Sequence, residues 1–213
     1  MKLTPYAAAV AALAVAALSL PAAASAQSVL SESFNDVAVL GAAGWAQVNE
    51  SPNPSGSWFQ GNTAVFNAAL GPANSYVANN FTAGTPSIST WLMTPALTFG
   101  SGSAMSFSVR SAGASLFDTI QVYASLNGSS TVVSDFSILL GSYSSSVDAG
   151  WIAQSYNVSL VGSGRIGFRY VVANTDTAGN YIGIDNVNVV PEPASALLGL
   201  AVMGRAATRC RSV

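Results

Sequence analysis

The residue types that most often carry catalysis are scarce in this chain. Its 213 residues include no His and a single Cys, Cys210. This composition excludes triads with an imidazole base, histidine acid–base catalysis and zinc sites built on His or on paired Cys. The remaining route is a pair of carboxylates about 5–9 Å apart, as in glycoside hydrolases. Glu32, Glu50 and Asp118 occur singly, so the sequence predicts a non-enzyme and leaves a secreted glycan-cleaving enzyme as the alternative.

Aromatic side chains offer a second kind of chemistry, the stacking of sugar rings. Trp58 lies in a Pro- and Gly-containing stretch typical of an exposed loop, and Tyr123 lies on the polar phase of a predicted strand. Exposed aromatic side chains often mark binding surfaces, so these two residues are the candidates for binding carbohydrate. Trp45, Trp91 and Trp151 are expected to anchor the core or its loops instead.

The charge of the central region excludes two classes of partner. Residues 27–190 contain three arginines, no lysine and eight acidic residues, which give a net charge of −5. Nucleic acids and anionic lipids are bound through basic surfaces. We therefore expect neither as a partner, and Cys210 lies outside this region, so the region has no thiol.

Alternating apolar and polar residues predict strands through most of residues 27–190. Residues 105–110 and 120–125 alternate without interruption, and Asn127-Gly128 predicts a tight hairpin turn after the second of them. Further strands are predicted at residues 29–34, 76–81, 90–93, 136–140, 156–160, 166–172 and 181–190. Turn-forming clusters separate them, and no sustained helical period occurs. The predicted fold is an all-β jelly-roll sandwich of two antiparallel sheets.

The last predicted strand contains a break in its alternation. Ile182 and Ile184 share one face, whereas Val187 and Val189 lie on the other phase. A β-bulge at residues 185–186 would restore the inward register and redirect a polar side chain.

The N-terminus has the pattern of an export signal. Lys2 precedes an apolar run at residues 6–20, and small residues follow Pro21. The run of 15 residues is short for a membrane span of about 20. Residues 1–26 are therefore predicted to be a signal peptide, cut by signal peptidase after Ala26.

The C-terminus has three ordered parts. Pro191-Glu192-Pro193 precedes a short apolar stretch at residues 194–204, predicted to be helical, and a basic tail follows with Arg205, Arg209 and Arg211. This order resembles the PEP-CTERM sorting signal of Gram-negative bacteria. The resemblance implies recognition by an exosortase, a transient inner-membrane association through the tail, and delivery to the cell envelope, the outer surface or the extracellular matrix. The predicted domains are thus residues 1–26, 27–190 and 191–213.

Short motifs in a fixed order run through residues 27–190. They are Glu32-Ser33-Phe34, Gly44-Trp45, Trp91-Leu92-Met93-Thr94-Pro95-Ala96-Leu97, Gly150-Trp151, Arg165-Ile166-Gly167-Phe168-Arg169-Tyr170 and Ile184-Asp185-Asn186-Val187. Together they resemble the choice-of-anchor J domain, which is related to cleaved-adhesin and MAM-type jelly rolls of surface proteins. The resemblance implies a cell-surface or biofilm-matrix module that adheres to an extracellular polysaccharide or another surface component.

The same resemblance implies a structural calcium ion. In related jelly rolls such an ion ties the first strand to the last, and the matching residues here are Glu32 and Asp185, with Asp36 and Asn186 as helpers. Calcium takes six to eight oxygen ligands, and no EF-hand spacing is present. The alternative, that these are ordinary polar residues at a sheet edge and a bulge, stays open.

Overall fold

The computed structural model describes residues 29–190, which consist almost entirely of β-strands and connecting loops. Three single-turn 3₁₀ helices interrupt the strands, at Val37–Val39, Phe81–Ala83 and Val133–Asp135. The strands are β1 (Leu30–Glu32), β2 (Ala46–Asn49), β3 (Asn53–Pro54), β4 (Phe59–Gln60), β5 (Val77–Asn80), β6 (Gly84–Thr85), β7 (Ile88–Met93), β8 (Leu97–Phe99), β9 (Ser103–Ser111), β10 (Asp118–Ser125), β11 (Ile138–Ser145), β12 (Ile152–Val158), β13 (Gly162–Val172) and β14 (Tyr181–Val190).

Two antiparallel sheets form the sandwich. The first sheet has the order β12-β9-β14-β5-β4, and β1 pairs with β14. The second has the order β11-β10-β13-β7-β2, and β8 pairs with β13. Neighbouring strands are mostly far apart in the chain, as in a jelly roll. The predicted all-β sandwich of two antiparallel sheets is confirmed.

The main core lies between the two sheets. β9 and β10 alternate between buried and more exposed residues, as strands covered on one face do, whereas β13 and β14 each contain five consecutive buried residues because both of their faces are partly covered. Phe107 of the first sheet meets Phe168 of the second edge to face, with ring centroids 5.1 Å apart. Trp45 and Trp91 are buried, as predicted, and Trp151 anchors a loop by donating its indole N–H to the carbonyl oxygen of Asn67.

The predicted bulge in β14 is confirmed. The pairing of β14 with β9 shifts between Asp185 and Asn188, and Asn186 has a φ of +51°. This extra residue places Asp185 on the outer face of the first sheet while Ile184 and Val187 both enter the core. The sequence pattern therefore located a change of side-chain direction correctly.

Asn127-Gly128 does form a local turn, in which the N–H of Ser130 donates to the carbonyl oxygen of Asn127, but the prediction that it is a tight hairpin between strands is wrong. β10 and β11 do pair, but residues 126–137 join them. Asp135 holds this longer loop by accepting hydrogen bonds from Asn127 Nδ2 and Ser130 Oγ. Phe136 then packs on Trp91 of the second sheet, so burial of an aromatic ring helps to fix the longer connection.

The two predicted sorting segments, residues 1–26 and 191–213, lie outside the described residues, as do Pro191, Glu192, Pro193 and the arginines that follow them. Between residues 29 and 190 there is no helix with the length and hydropathy needed to cross a membrane.

Candidate functional site

Residues 61–76, the covering segment, cross the outer face of the first sheet. They bring Phe66 and Tyr76 onto Tyr181 of β14, where the three rings form a second, smaller core. The ring centroids of Phe66 and Tyr76 are 5.1 Å apart. Gly183 leaves room for them, because a Cβ there would lie 2.9 Å from Tyr76 and 3.0 Å from Phe66. The covering segment is thus fixed to the sheet by apolar burial.

Asp185 ties the covering segment to the bulge of β14. Its Oδ2 accepts hydrogen bonds from the backbone N–H groups of Ala69, at 2.9 Å, and Leu70, at 3.3 Å. Its Oδ1 accepts the N–H of Asn186 at 2.7 Å. Burial raises the pKa of this carboxyl above its ordinary value, although the three N–H donors act in the opposite direction. Asp185 therefore positions one wall of the surface described next.

A cleft of about 500 Å³ opens between the covering segment and the neighbouring loops. This volume is typical of a site for a small ligand or part of a polymer. Its lining combines aromatic rings, amides and one carboxylate: Phe59, Asn62, Ala64, Val65, Asn80, Phe81, Ala112, Asp148, Asn180 and Tyr181. Phe81 is 51% exposed, so much of its ring is open to a ligand.

Three asparagines in the lining use only one end of the side-chain amide in hydrogen bonds within residues 29–190. Asn62 Oδ1 accepts the N–H of Ala64, Asn80 Oδ1 accepts from Thr82, and Asn180 Nδ2 donates to a backbone carbonyl oxygen. Among residues 29–190 the opposite ends of these amides have no hydrogen-bond partner. An amide end beside an exposed ring can bind the hydroxyl groups of a ligand. The sequence reasoning missed these residues, although Asn80-Phe81 and Asn180-Tyr181 each join an amide to an aromatic ring at a strand end.

A buried carboxylate that is not itself part of the lining holds Asn180 in place. Asp118 accepts hydrogen bonds from the hydroxyls of Tyr170 and Ser111, both at 2.8 Å, and from the N–H of Asn180 at 2.8 Å. Burial and the adjacent carboxylate raise the pKa of Tyr170 above its ordinary value, so this hydroxyl remains a donor. Asp118 therefore has a structural role: it accepts three hydrogen bonds, and one of them positions Asn180.

The carboxylate of the lining forms an ion pair with Arg110. Asp148 accepts from Arg110 Nε at 2.9 Å and from Nη2 at 2.7 Å. The guanidinium also lies over the Phe66 ring, 4.5 Å from its centroid. The hydrogen bonds from Arg110 hold the pKa of Asp148 below its ordinary value of 3.8. Both charges are thus neutralised locally.

This ion pair predicts a specific pH dependence of stability. Because the folded-state pKa of Asp148 is depressed, its contribution is present above pH 3.8 and is lost as the pH falls through the folded value. We expect Asp148→Asn to lower the free energy of unfolding by about 1 kcal/mol or less at neutral pH, since the pair is partly exposed. The difference from wild type should vanish between about pH 4 and pH 2 in urea titrations. A difference that persists unchanged at pH 2 would contradict this assignment.

The structure corrects the expectation that Trp58 is exposed. Its side chain is 3% exposed and belongs to the main core. Trp58 directly precedes β4, whose Phe59 and Gln60 pair with β5, and its ring enters the sandwich, while Phe59 lines the cleft. The backbone N–H of Trp58 donates to Gln47 Oε1. A buried ring has no free face for a sugar.

Tyr123, the other carbohydrate candidate, lies half-buried on the outer face of the second sheet. Its ring centroid is 5.4 Å from that of Trp91, and its hydroxyl donates to Gln121 Oε1 at 3.2 Å. It is not among the residues that line the cleft. The structure therefore does not bring Trp58 and Tyr123 together, and Tyr123 remains a separate prediction.

The four calcium candidates occupy different surroundings. Glu32 pairs with Val187, whose side chain enters the core, whereas Asp185 lies on the outer face. Glu32 and Asp36 each accept a backbone N–H two residues further along the chain. Asn186 forms the bulge. No three His, Cys, Asp or Glu side chains come together anywhere in residues 29–190, and calcium binding stays a prediction.

Solved structures with the same fold include cleaved adhesin domains of Lys-gingipain. The K1 domain, from Porphyromonas gingivalis, is 24% identical, covers 76% of this chain and 98% of its own, and has a TM-score of 0.61. The K3 domain from the same organism is 17% identical with a TM-score of 0.56, covering 78% of this chain and 99% of its own. The K2 domain is 16% identical with a TM-score of 0.57, covering 76% and 97%.

The fold is that of a cleaved adhesin domain. The predicted relation to these jelly rolls is therefore confirmed at the level of architecture. No family model matches the sequence, and no curated protein matches it either.

Proposed function

We propose that this chain is an exported, non-catalytic adhesion module that binds an extracellular polysaccharide in the cleft of the first sheet. The observation that carries the proposal is the combination of the exposed Phe81 ring with the uncommitted amide ends of Asn62, Asn80 and Asn180. A sugar presents an apolar C–H face and a rim of hydroxyls. A ring and several amides match both parts of such a ligand.

The carboxylates of the described region support binding over hydrolysis. Glycoside hydrolysis needs two carboxyl groups across a cleft. Of the residues that line this cleft, Asp148 alone has a carboxylate, and it is paired with Arg110. Asp118 is buried and accepts three hydrogen bonds. This arrangement favours retention of a polymer without cleavage.

The proposal includes the route by which the protein reaches its ligand. Residues 1–26 direct export, and the Pro191-Glu192-Pro193 motif with its basic tail directs exosortase sorting to the envelope or matrix of a Gram-negative cell. The resemblance of residues 27–190 to choice-of-anchor J domains, which occur on surface proteins, supports the same location. The fold shared with cleaved adhesin domains agrees with an adhesive role.

Electrophoresis of the native protein through gels containing a neutral polysaccharide tests the proposal. The panel comprises mixed-linkage β-glucan, galactan, xylan, galactomannan and hydroxyethyl cellulose. We expect at least one polymer to retard the protein, with no reducing ends released on prolonged incubation. Release of reducing ends would establish the glycan-cleaving alternative, and free migration in every gel would refute polysaccharide binding.

A further inference from the structure

Residues 29–190 have three cationic side chains, and each already makes hydrogen bonds within the protein. They are Arg110, Arg165 and Arg169, since residues 29–190 contain no Lys or His. Arg165 is buried and donates to backbone carbonyl oxygens, among them that of Gly44 at 2.8 Å. Arg169 donates to Ser89 Oγ at 3.0 Å and lies over the Trp91 ring of the second sheet. Neither residue lines the cleft.

Arg110 is the cation next to the cleft, and Asp148 neutralises it. The pairing is bidentate, and the guanidinium is fixed a second time by the Phe66 ring beneath it. Asp148 itself is part of the cleft lining. An acidic ligand that enters the cleft therefore meets this carboxylate before it meets a free positive charge. Polymers with carboxylates are generally bound by unpaired Arg or Lys side chains.

We propose that the cleft selects neutral polysaccharides over acidic ones, and that the Arg110–Asp148 pair is the element that sets this selectivity. The inference rests on the proposed function and names its ligand class. Amide ends and an aromatic face bind hydroxyls and C–H groups without needing charge. A uronic acid would add a carboxylate that finds no free cation there, and it would be repelled by a domain of net charge −5.

The selectivity is tested by adding acidic polymers to the gel panel: polygalacturonate, alginate and carboxymethyl cellulose, the last a charged counterpart of hydroxyethyl cellulose. We expect the wild-type protein to be retarded at least ten-fold more strongly by its best neutral polymer than by any acidic one. Relative to its own retardation by the neutral polymer, Asp148→Asn should gain at least five-fold in retardation by acidic polymers, because Arg110 loses its charged partner. This gain should disappear in about 0.5 M NaCl, where exposed charges are screened.

Glu50→Gln is the matched control. It changes the net charge by the same amount, and Glu50 is exposed and outside the cleft lining. It should gain nothing on acidic polymers. Two results overturn the inference while leaving polysaccharide binding intact: acidic polymers retard the wild type as strongly as neutral ones, or Asp148→Asn gains no more than Glu50→Gln. Free migration of the wild type in every gel overturns the proposed function and the inference with it.

Discussion

Phe81→Ala weakens retention by the neutral polymer at least ten-fold and leaves the melting temperature nearly unchanged. The ring begins the 3₁₀ turn at the cleft and is 51% exposed, so its removal sacrifices little packing within the protein. A sugar stacked on it would cover the exposed face and bury apolar surface on both sides. Loss of that burial costs about 1.5 kcal/mol or more of binding free energy, which lowers the affinity roughly ten-fold. Affinity gels and thermal unfolding of the same preparation measure both quantities.

Phe117→Ala serves as the control for this substitution. Phe117 is 57% exposed, so the change removes the same chemical group from a comparable surface position. It lies on a neighbouring loop, where its carbonyl oxygen accepts the N–H of Gly179, and it does not line the cleft. Retention should survive this change. Retention that survives Phe81→Ala but is lost in Tyr123→Ala would move the binding site to the second sheet.

Asp185→Ala lowers the free energy of unfolding by about 3 kcal/mol, because backbone N–H groups on two segments lose their acceptor. Ala69 and Leu70 then lose their hydrogen bonds to β14, and Asn186 loses the one that stabilises the bulge. The covering segment should consequently exchange its amide hydrogens faster. Because that segment forms a wall of the cleft, retention by the neutral polymer should fall several-fold.

Asp36→Ala is the control for the loss of a carboxylate acceptor. Asp36 is exposed and accepts one N–H at the start of a 3₁₀ turn, so its loss costs about 1 kcal/mol or less. Both variants are unfolded in urea with and without a calcium chelator. If hydrogen bonding carries the effect of Asp185, the chelator leaves the loss unchanged. A loss that the chelator abolishes would assign the effect to a bound cation instead.

The alternation of apolar and polar residues along the sequence was sufficient to predict most of the fold. It located β9, β10, β13 and β14 with its bulge, because side chains must alternate wherever one face of a strand is buried, but it overlapped only parts of β11 and β12. The tight hairpin predicted at Asn127-Gly128 rested on a dipeptide preference, and it did not form. There the turn preference is local, whereas the loop is held by Asp135 and by the burial of Phe136 against a strand from elsewhere in the chain. Local signals cannot report such a contact.

The cleft could not be predicted, for the same physical reason. Its residues come from five separate parts of the chain, and their exposure depends on how loops meet around the covering segment. Trp58 shows the limit clearly: its neighbours in sequence are typical of a loop, yet pairing of Phe59 with β5 turns its ring inward. Phe81 is exposed although it follows a buried strand. Exposure of an aromatic ring is thus a tertiary property.

A nuclear magnetic resonance titration tests the central claim most directly. The protein, labelled with ¹⁵N, is titrated with an oligosaccharide cut from the neutral polymer that retards it most strongly. We predict that the side-chain amide signals of Asn62, Asn80 and Asn180 shift together and saturably, with a common dissociation constant. Shifts confined to the outer face of the second sheet around Tyr123 and Gln121, with these three amides unmoved, would contradict the account.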